Sequence, residues 1–330
     1  EEMSRFPQSS GLEVRNACSV ARDSFDDWKD LSRVNRAEYL YKVAKILERD
    51  LAKFAMAISL ETGKNYNESV AEVNEALHMA QYAFGTGRMP HGEALSSEIP
   101  EKDAYMLRKP KGVVAIISPW NFPLAIGAFW CAAPALVEGN TIVIKPSEDA
   151  PLSTELAIKA YEEAGIPPGV INLIHGNGEV GDMLARNEEV DHICFTGSAE
   201  VGQHIRRVCA DSWHKTCSCE MGSKSAVIVF DDANFDLAVS ASIASAFKLS
   251  GQRCVSAGRL IVQRGIYDKF AESFAKYATQ VSPGKPFTTS NVYTSKPNYL
   301  DYMGPLINEQ QFLRVLSFNQ MVKQDDAAEI

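Results

Sequence analysis

The fold is decided by the stretch Gly112-Val113-Val114-Ala115-Ile116-Ile117 and by the run Thr141-Ile142-Val143-Ile144 that follows it. Further short apolar runs occupy residues 170–174 and 192–195, and stretches with helical spacing separate all four. Strands that are apolar throughout and alternate with single helices are typical of a parallel sheet covered on both faces. We therefore expect an α/β fold, with a ligand bound where the carboxyl ends of the strands meet.

The segments around this sheet follow other patterns. Residues 14–25 and 36–57 carry apolar side chains at three- and four-residue intervals, which predicts amphipathic helices in the first ninety residues. Between residues 88 and 110 the chain turns to Pro, Gly and Ser around one short alternating segment, which indicates a protruding β-hairpin. A second β/α segment is expected from Ser225 onward, and the polar residues 282–302 are expected to form a loop.

The composition excludes several classes of protein. The length of 330 residues favours about two domains, and 33 Lys plus Arg against 42 Asp plus Glu give a net charge of -9, the opposite of what binding to nucleic acid needs. No apolar run approaches the ~20 residues of a membrane-spanning helix, and the N-terminal residues do not resemble a secretory signal. Seven scattered cysteines without a Cys-x-x-Cys pair predict neither a disulfide framework nor a zinc site. We therefore expect no metal and a reducing compartment, the cytoplasm or the mitochondrial matrix.

Three strand-to-helix junctions could hold a nucleotide. Gly176-Asn177-Gly178-Glu179-Val180-Gly181 fits the Gly-x-Gly-x-x-Gly pattern of dinucleotide binding, although an ordinary tight turn would use the same glycines. Phe195-Thr196-Gly197-Ser198 could hold a phosphate with helix amides and the Ser198 hydroxyl. Lys145-Pro146-Ser147-Glu148 could grip the hydroxyls of a ribose, but a charged turn closed by proline is the simpler interpretation when this segment is taken alone.

Three more side chains suit nucleophilic catalysis. Cys254 lies in the Gly-containing bend Ser250-Gly251-Gln252-Arg253-Cys254, where the adjacent arginine favours the thiolate. The other six cysteines lie in apolar helices or strands, where a cysteine is usually an inert hydrophobe. Glu220 follows the predicted strand 216–219 and could act as a base, and Asn121 follows the strand 113–117 and could donate from its amide. Taken singly, each of the three is more often a turn residue than a catalyst.

Together these segments are far more specific. In this order along the chain, they resemble the NAD(P)-dependent aldehyde dehydrogenase superfamily, and the likeness runs from about Val14 to Leu316. The matching motifs are Pro119-Trp120-Asn121-Phe122-Pro123, Lys145-Pro146-Ser147-Glu148, Phe195-Thr196-Gly197-Ser198, Glu220-Met221-Gly222-Ser223-Lys224 and Gly251-Gln252-Arg253-Cys254. Two flanking landmarks agree with them, Leu60-Glu61-Thr62-Gly63-Lys64 and Met303-Gly304-Pro305-Leu306-Ile307-Asn308.

The resemblance implies an architecture of three parts. A Rossmann-like parallel-sheet nucleotide-binding domain is expected at residues 1–90 and 110–222, and an incomplete α/β catalytic domain at residues 223–330. The hairpin at residues 91–109 would form a protruding arm that serves oligomerisation, as a homodimer or a homotetramer.

The resemblance also implies a mechanism. Cys254 would attack a small-molecule aldehyde or semialdehyde to give a thiohemiacetal, whose oxyanion the Asn121 amide and the Cys254 backbone N–H would stabilise. Hydride would then pass to the nicotinamide. Glu220 would be the general base, poised by burial, for the thiol or for the water that hydrolyses the resulting thioester.

For the cofactor, the resemblance implies contacts that differ from those of the Gly-x-Gly-x-x-Gly fingerprint. Lys145 and Glu148 would hold the adenosine ribose, and Trp120 and the Gly197-Ser198 turn would face the pyrophosphate. Gly178 would lie on the adenine side. NAD is expected rather than NADP, because the Glu148 carboxylate would repel a 2′-phosphate.

Some features depart from the family pattern. Ser223 replaces a glycine, which is expected to crowd the turn beside Glu220, and Trp130 stands where many members carry a basic residue. The segment 286–302 is longer than its counterpart. The family's Glu-x-Phe-Gly-Pro segment is expected beyond Ile330, so the chain is expected to be truncated at its C-terminus, either as a fragment or as a protein that has lost part of its active site.

Two alternative functions therefore stay open. One is a catalytically impaired relative that serves as a nucleotide-binding or structural protein. The other is ester or thioester hydrolysis by Cys254 and Glu220 without a cofactor.

Overall fold

The core of the protein is a parallel sheet of five strands. These are β3 (Val113–Ile117), β4 (Thr141–Lys145), β5 (Ile171–Leu173), β6 (His192–Gly197) and β7 (Thr216–Met221), in the order β5-β4-β3-β6-β7. All five residues of β4 and the first four of β3 are buried, because helices cover both faces. β3 pairs with β4 in register from Val113↔Thr141 to Ile117↔Lys145. The carboxyl ends of these strands therefore meet at one edge of the sheet.

The computed structural model describes residues 4–284 and 303–324. Its remaining strands are β1 (Gly92–Leu95), β2 (Ala104–Leu107), β8 (Ser225–Val229) and β9 (Ala257–Val262). Its α-helices are α1 (Gly11–Asp23), α2 (Phe25–Asp30), α3 (Arg33–Arg49), α4 (Leu51–Thr62), α5 (Tyr66–Thr86), α6 (Ala132–Val137), α7 (Leu152–Glu163), α8 (Gly178–Arg186), α9 (Ala199–Ala210), α10 (Phe235–Phe247), α11 (Tyr267–Ala278) and α12 (Glu309–Lys323). A π-helical segment occupies Ile126–Cys131, and short 3₁₀ turns occupy Lys248–Gly251 and Arg264–Ile266.

Local sequence signals explain where the first helix begins and which face it buries. At the start of α1, Ser10 Oγ accepts a hydrogen bond from Glu13 N, and the Glu13 carboxylate accepts one from Ser10 N, which is a capping box. Val14, Cys18 and Ala21 follow at helical spacing and are buried in the same apolar cluster as residues of the central sheet.

The segment after β3 packs directly on the sheet. Within the π-helical segment Ile126–Cys131, a Cβ atom at Gly127 would lie 2.6 Å from Ser118 Oγ, so only glycine allows this approach. The buried Tyr161 hydroxyl donates to Ala128 O at 2.6 Å. π-helical turns are rare, and they frequently occur at functional sites.

The chain divides into two compact units. The first unit comprises Glu1–Ala55 and Val70–Met221, and the second comprises Met56–Ser69 and Gly222–Ile330. In the second unit, β8 and β9 form a parallel pair, with Val229 among the buried residues of a small apolar core. The second unit thus includes residues that the sequence analysis grouped with the first ninety.

Most predicted elements are confirmed, with one correction. The strand runs of the central sheet, the helices around them and the antiparallel β1–β2 hairpin are all observed. The prediction that Glu220 follows its strand is wrong, because the pairs Thr196↔Glu220 and Gly197↔Met221 extend β7 through Glu220. Residues 285–302, which include most of the predicted loop, lie outside the described residues. In the described ranges, no helix is long and apolar enough to cross a membrane.

Candidate active site

A cleft of about 550 Å³ opens in the first unit at the carboxyl ends of β3, β4 and β6. The residues that end these strands, Ile117, Lys145 and Gly197, all line it. Predicted cofactor residues from separate segments also come together here: Trp120, Lys145, Glu148, Gly178 and Gly197. Parallel sheets bind nucleotides at this edge, so the cleft has the position that the sequence predicts.

One wall of the cleft carries a buried ammonium beside an exposed carboxylate. Lys145 is 3% exposed, and its Nζ donates to Pro146 O at 2.7 Å and to Gly176 O at 2.6 Å. Glu148 Oε2 lies 3.7 Å from the same nitrogen, and the Glu148 side chain is about half exposed. Burial lowers the pKa of Lys145, and the nearby Glu148 charge opposes that shift. Positioned donors and acceptors of this kind can bind the hydroxyl groups of a ribose.

Two helix N-termini contribute backbone amides to the cleft. Helix α8 begins at Gly178, where an added Cβ would meet no atom within 4 Å, so the backbone is open to a ligand. Helix α9 begins after the end of β6, with Ser198 as its N-cap, and the Ser198 hydroxyl accepts a hydrogen bond from Val201 N at 3.3 Å. Ser198 is not among the residues that line the cleft, so its predicted phosphate contact stays a prediction. Helix N-termini favour anions because their amides are unpaired and their dipoles point the positive end outward.

On the far side of the cleft, a hydrogen bond joins these two helices. His204 Nε2 lies 2.6 Å from Asp182 Oδ1, and Arg186 Nε lies 2.9 Å from Asp182 Oδ2. Burial alone would raise the pKa of Asp182, but the hydrogen bonds from His204 and Arg186 hold it below its usual range. The hydrogen bond between His204 and Asp182 therefore joins α8 to α9 across this side of the cleft.

The Asn121 segment is held by a buried carboxylate that sequence reasoning missed. Glu72, on α5, is 1% exposed, and it accepts hydrogen bonds from Leu124 N at 2.9 Å and Ala125 N at 3.1 Å. These amides precede the π-helical segment and follow Asn121 by three and four residues. A signal did exist, because Glu72 lies next to Val73 on a helical stripe whose other members are apolar or small.

Glu220 lies in β7, opposite Thr196 of β6. Its side chain is exposed, so the expected burial of this carboxylate is not observed. The difference arises because β7 is the last strand of the described sheet and exposes every second residue, starting at Thr216. Thr196 lines the cleft, which places Glu220 one strand away from it.

Cys254 lies in the second unit, in a turn between the 3₁₀ turn Lys248–Gly251 and β9, and its side chain is half-buried. The backbone before this turn is unusual. Leu249 and Ser250 have φ angles of 50° and 56°, values that favour glycine, and Gly251 continues with φ 73°. The sequence predicted the bend at Gly251 but not the two left-handed residues before it.

Hydrogen bonds hold this left-handed stretch in place. Glu68 Oε2 accepts from Leu249 N at 3.3 Å, and Gln252 Oε1 accepts from Ile307 N at 3.0 Å. Ser250 Oγ donates to Gly304 O. Burial raises the pKa of Glu68, and the nearby Lys64 ammonium opposes that shift. The landmark segment 303–308 therefore lies against the Cys254 turn, and Lys64 of the other landmark lies near the Glu68 carboxylate that holds Leu249.

Two of the sequence departures have clear positions. Ser223 is exposed, its hydroxyl lies 2.8 Å from Ser225 Oγ, and it is not among the residues with a left-handed φ angle. The expected crowding by Ser223 is therefore not observed. Trp130 lies in the π-helical segment with 43% of its surface exposed.

Comparison with known proteins identifies the family. The model of the aldehyde dehydrogenase family matches residues 1–329. Betaine aldehyde dehydrogenase of Bacillus subtilis is 40% identical over 87% of this chain and 59% of that protein. Alpha-ketoglutaric semialdehyde dehydrogenase of the same organism is 37% identical over 97% of this chain and 63% of that protein.

A solved structure agrees with these relatives. The crystal structure of betaine aldehyde dehydrogenase from Staphylococcus aureus in complex with NAD+ superposes with a TM-score of 0.90 at 31% identity, over 97% of this chain and 61% of that one. The chain thus spans less than two thirds of the length of each of these three proteins. The motifs, the parallel sheet with its cleft and these matches all lead to one conclusion: the chain belongs to the aldehyde dehydrogenase family.

Proposed function

We propose that the protein oxidises an aldehyde or semialdehyde to a carboxylic acid, with NAD as cofactor and Cys254 as nucleophile. The observation that carries the proposal is the cleft of the first unit, where the Lys145 ammonium, the Glu148 carboxylate and two helix N-termini converge beside Trp120. These groups match the ribose hydroxyls and the pyrophosphate of a dinucleotide. NAD, when bound, accepts the hydride that leaves the substrate carbon.

The choice of NAD over NADP rests on Glu148. Its carboxylate lies 3.7 Å from Lys145 Nζ, so both groups can bind the hydroxyls of one ribose, and the carboxylate would repel a phosphate on that ribose. We expect Glu148→Gln to bind NAD more weakly and to raise the ratio of NADP to NAD turnover. Glu179→Gln, a change of another carboxylate at the start of α8, is the matched control. An unchanged ratio in Glu148→Gln would remove Glu148 as the determinant.

The protein's own groups supply the chemistry at the carbonyl carbon. The Cys254 thiolate attacks this carbon to form a thiohemiacetal, and the Asn121 amide and the Cys254 backbone N–H donate to the developing oxyanion. Glu220 takes a proton, either from the thiol or from the water that hydrolyses the thioester. An exposed carboxylate suits the second step, because water must reach the thioester.

Kinetics and mass spectrometry test the assignment. We expect Cys254→Ala to lose NAD reduction with an aldehyde while it still binds NAD, and Cys217→Ala, a matched control at a half-buried cysteine, to keep turnover. Glu220→Gln should retain a first turnover but accumulate an acyl group on the tryptic peptide 254–259, because deacylation is slowed. Turnover in Cys254→Ala would refute the proposal. NAD binding without turnover in the unmutated protein would favour the catalytically impaired relative.

The β1–β2 hairpin supports a proposal on the assembly of the protein. The β1–β2 hairpin exposes Leu95, Tyr105 and Leu107, each by more than half, which supports its use as a contact between copies in a homodimer or homotetramer. Light scattering of the purified protein tests this, and a monomer would contradict it.

All seven cysteines are free thiols, which supports a reducing compartment, the cytoplasm or the mitochondrial matrix. Fluorescence microscopy of the tagged protein distinguishes these compartments from an oxidising one.

A further inference from the structure

The turn before Cys254 has a left-handed backbone over three consecutive residues. Leu249, Ser250 and Gly251 have φ angles of 50°, 56° and 73°. Glycine adopts such angles freely, but they are uncommon for other residues, and a bulky side chain such as leucine makes the position an outlier. Leu249 is also buried, with 4% of its surface exposed. Backbone strain of this kind persists only where the surrounding groups hold it in place.

Glu68 holds the first residue of this turn. It lies in the first turn of α5, and its Oε2 accepts the hydrogen bond from Leu249 N at 3.3 Å, across 181 positions of sequence. Helix α10 ends at Phe247, so the Leu249 N–H lies just beyond the helix. A side-chain acceptor therefore fixes this amide at the point where the chain changes from a right-handed to a left-handed conformation.

Two other side chains bond the turn to a later segment of the second unit. Ser250 Oγ donates to Gly304 O, and Gln252 Oε1 accepts from Ile307 N at 3.0 Å. Gln252 also bonds within the turn, because its Nε2 donates to Leu249 O at 3.1 Å. The left-handed residues are thus held from within the turn and from outside it.

The later segment also packs against the chain that leads to Glu68. A Cβ added at Gly304 would lie 2.2 Å from Gly63 O, and a Cβ added at Gly63 would lie 2.6 Å from Pro305 Cγ. The two segments are therefore too close for a larger residue at either glycine. Contacts between Gly63 and Gly304, and hydrogen bonds from Glu68 and Gly304 to the turn, form one continuous set around the left-handed residues.

Cys254 follows the last left-handed residue by three positions, so the turn sets the direction in which the chain reaches it. We propose that Glu68 is a positioning residue: its carboxylate fixes the left-handed turn, and the turn fixes the direction of the Cys254 thiol and of the Cys254 backbone N–H. The inference rests on the proposed function, in which the thiol attacks the carbonyl carbon and the N–H donates to the oxyanion. Misplacing a reacting group by about 1 Å can cost roughly 100-fold in rate.

Steady-state kinetics with an aldehyde and NAD test the role of Glu68. Glu68→Ala removes the acceptor of the Leu249 N–H, and we expect kcat to fall roughly 10- to 100-fold. The KM for NAD should stay the same, because the predicted cofactor residues lie in the first unit. Glu68→Gln keeps an acceptor oxygen and should recover most of the loss in kcat. Glu272→Ala, which removes an exposed carboxylate of α11 in the same unit, is the matched control and should keep the kcat of the unmutated protein.

A second measurement reads Cys254 directly and needs no turnover. The protein is treated with iodoacetamide and digested, and alkylation of the tryptic peptide 254–259 is followed over time. The Cys254 side chain is half-buried, so a loosened turn in Glu68→Ala should make its alkylation several-fold faster while kcat falls. Ser250→Ala, which removes the hydrogen bond to Gly304 O, should change both rates in the same directions. This variant carries the test if Glu68→Ala fails to fold, as judged by circular dichroism.

The outcomes separate this role from the proposed function. If the unmutated protein oxidises the aldehyde, an unchanged kcat in both Glu68→Ala and Ser250→Ala overturns the inference. A Glu68→Gln variant as slow as Glu68→Ala also overturns it, because the charge rather than the hydrogen bond would then matter. If the unmutated protein does not turn over, the proposed function fails. The alkylation rate then decides alone, and equal rates in the unmutated protein and both alanine variants overturn the positioning role.

Discussion

Replacing Glu72 by alanine removes the acceptor of two buried backbone N–H groups, those of Leu124 and Ala125. Both amides precede the π-helical segment. A hydrogen bond to a charged group contributes about 1.5–3 kcal/mol, so the loss of two amounts to about 4 kcal/mol. A domain of about 200 residues loses roughly 2–4 °C in melting temperature for each kcal/mol, so the first unit should melt roughly 8–16 °C lower.

Glu72→Gln is the matched control, because its side-chain oxygen can still accept from both amides. Neutral hydrogen bonds contribute about 1 kcal/mol each, so the glutamine variant should keep about 2 kcal/mol and lose about half as much stability as the alanine variant. Melting is followed by circular dichroism, and NAD binding by titration calorimetry on each variant below its melting temperature. We expect weaker NAD binding in the alanine variant, because Trp120 precedes the released amides by only a few residues. An alanine variant that melts within about 2 °C of the unmutated protein would refute the reasoning.

Two further predictions concern packing and pH. Gly127→Ala should destabilise the protein by about 1–3 kcal/mol, because its Cβ would lie 2.6 Å from Ser118 Oγ. The added change Ser118→Gly should recover part of this loss, as measured by denaturant titration. Equal unfolding midpoints for Gly127→Ala and the unmutated protein would contradict the prediction. Burial and the Lys145 charge lower the pKa of His175, while Glu155 opposes them, so the unfolded chain takes up the proton first as the pH falls below about 6.5. His175→Gln should therefore lose less melting temperature than the unmutated protein between about pH 7.5 and 5.5, and parallel curves would show that His175 is not responsible.

The central sheet could be predicted because its strands are buried on both faces. A run such as 113–117 needs no alternation when helices cover both sides, and its composition alone marks it as a strand. The end of β7 could not be predicted in the same way. Every second residue of 216–221 is polar, and only the pairs Thr196↔Glu220 and Gly197↔Met221 show that the strand continues past Cys219. The π-helical segment could not be predicted either, because an apolar sequence of this kind is compatible with both an α-helix and a π-helix.

Part of the candidate site could be predicted, because some motifs place charged side chains directly after a predicted strand. Lys145 and Glu148 were found through their position after a strand, and the structure brings both to one cleft. The exposure of the Glu220 side chain could not be predicted from its motif, because exposure depends on which elements lie beside β7.

The second unit is built from two separated stretches of chain, and this affects how the protein can fold during translation. Residues 56–69 leave the ribosome about 150 residues before Gly222, a delay of roughly 8–30 s at ~5–20 residues per second. Throughout that interval the Glu68 carboxylate and the Gly63 turn lack Leu249 and Pro305, the partners that they contact in the finished fold. A nascent chain that pauses during this interval would therefore expose residues 56–69 to chaperones, because the rest of the second unit has not yet been synthesised.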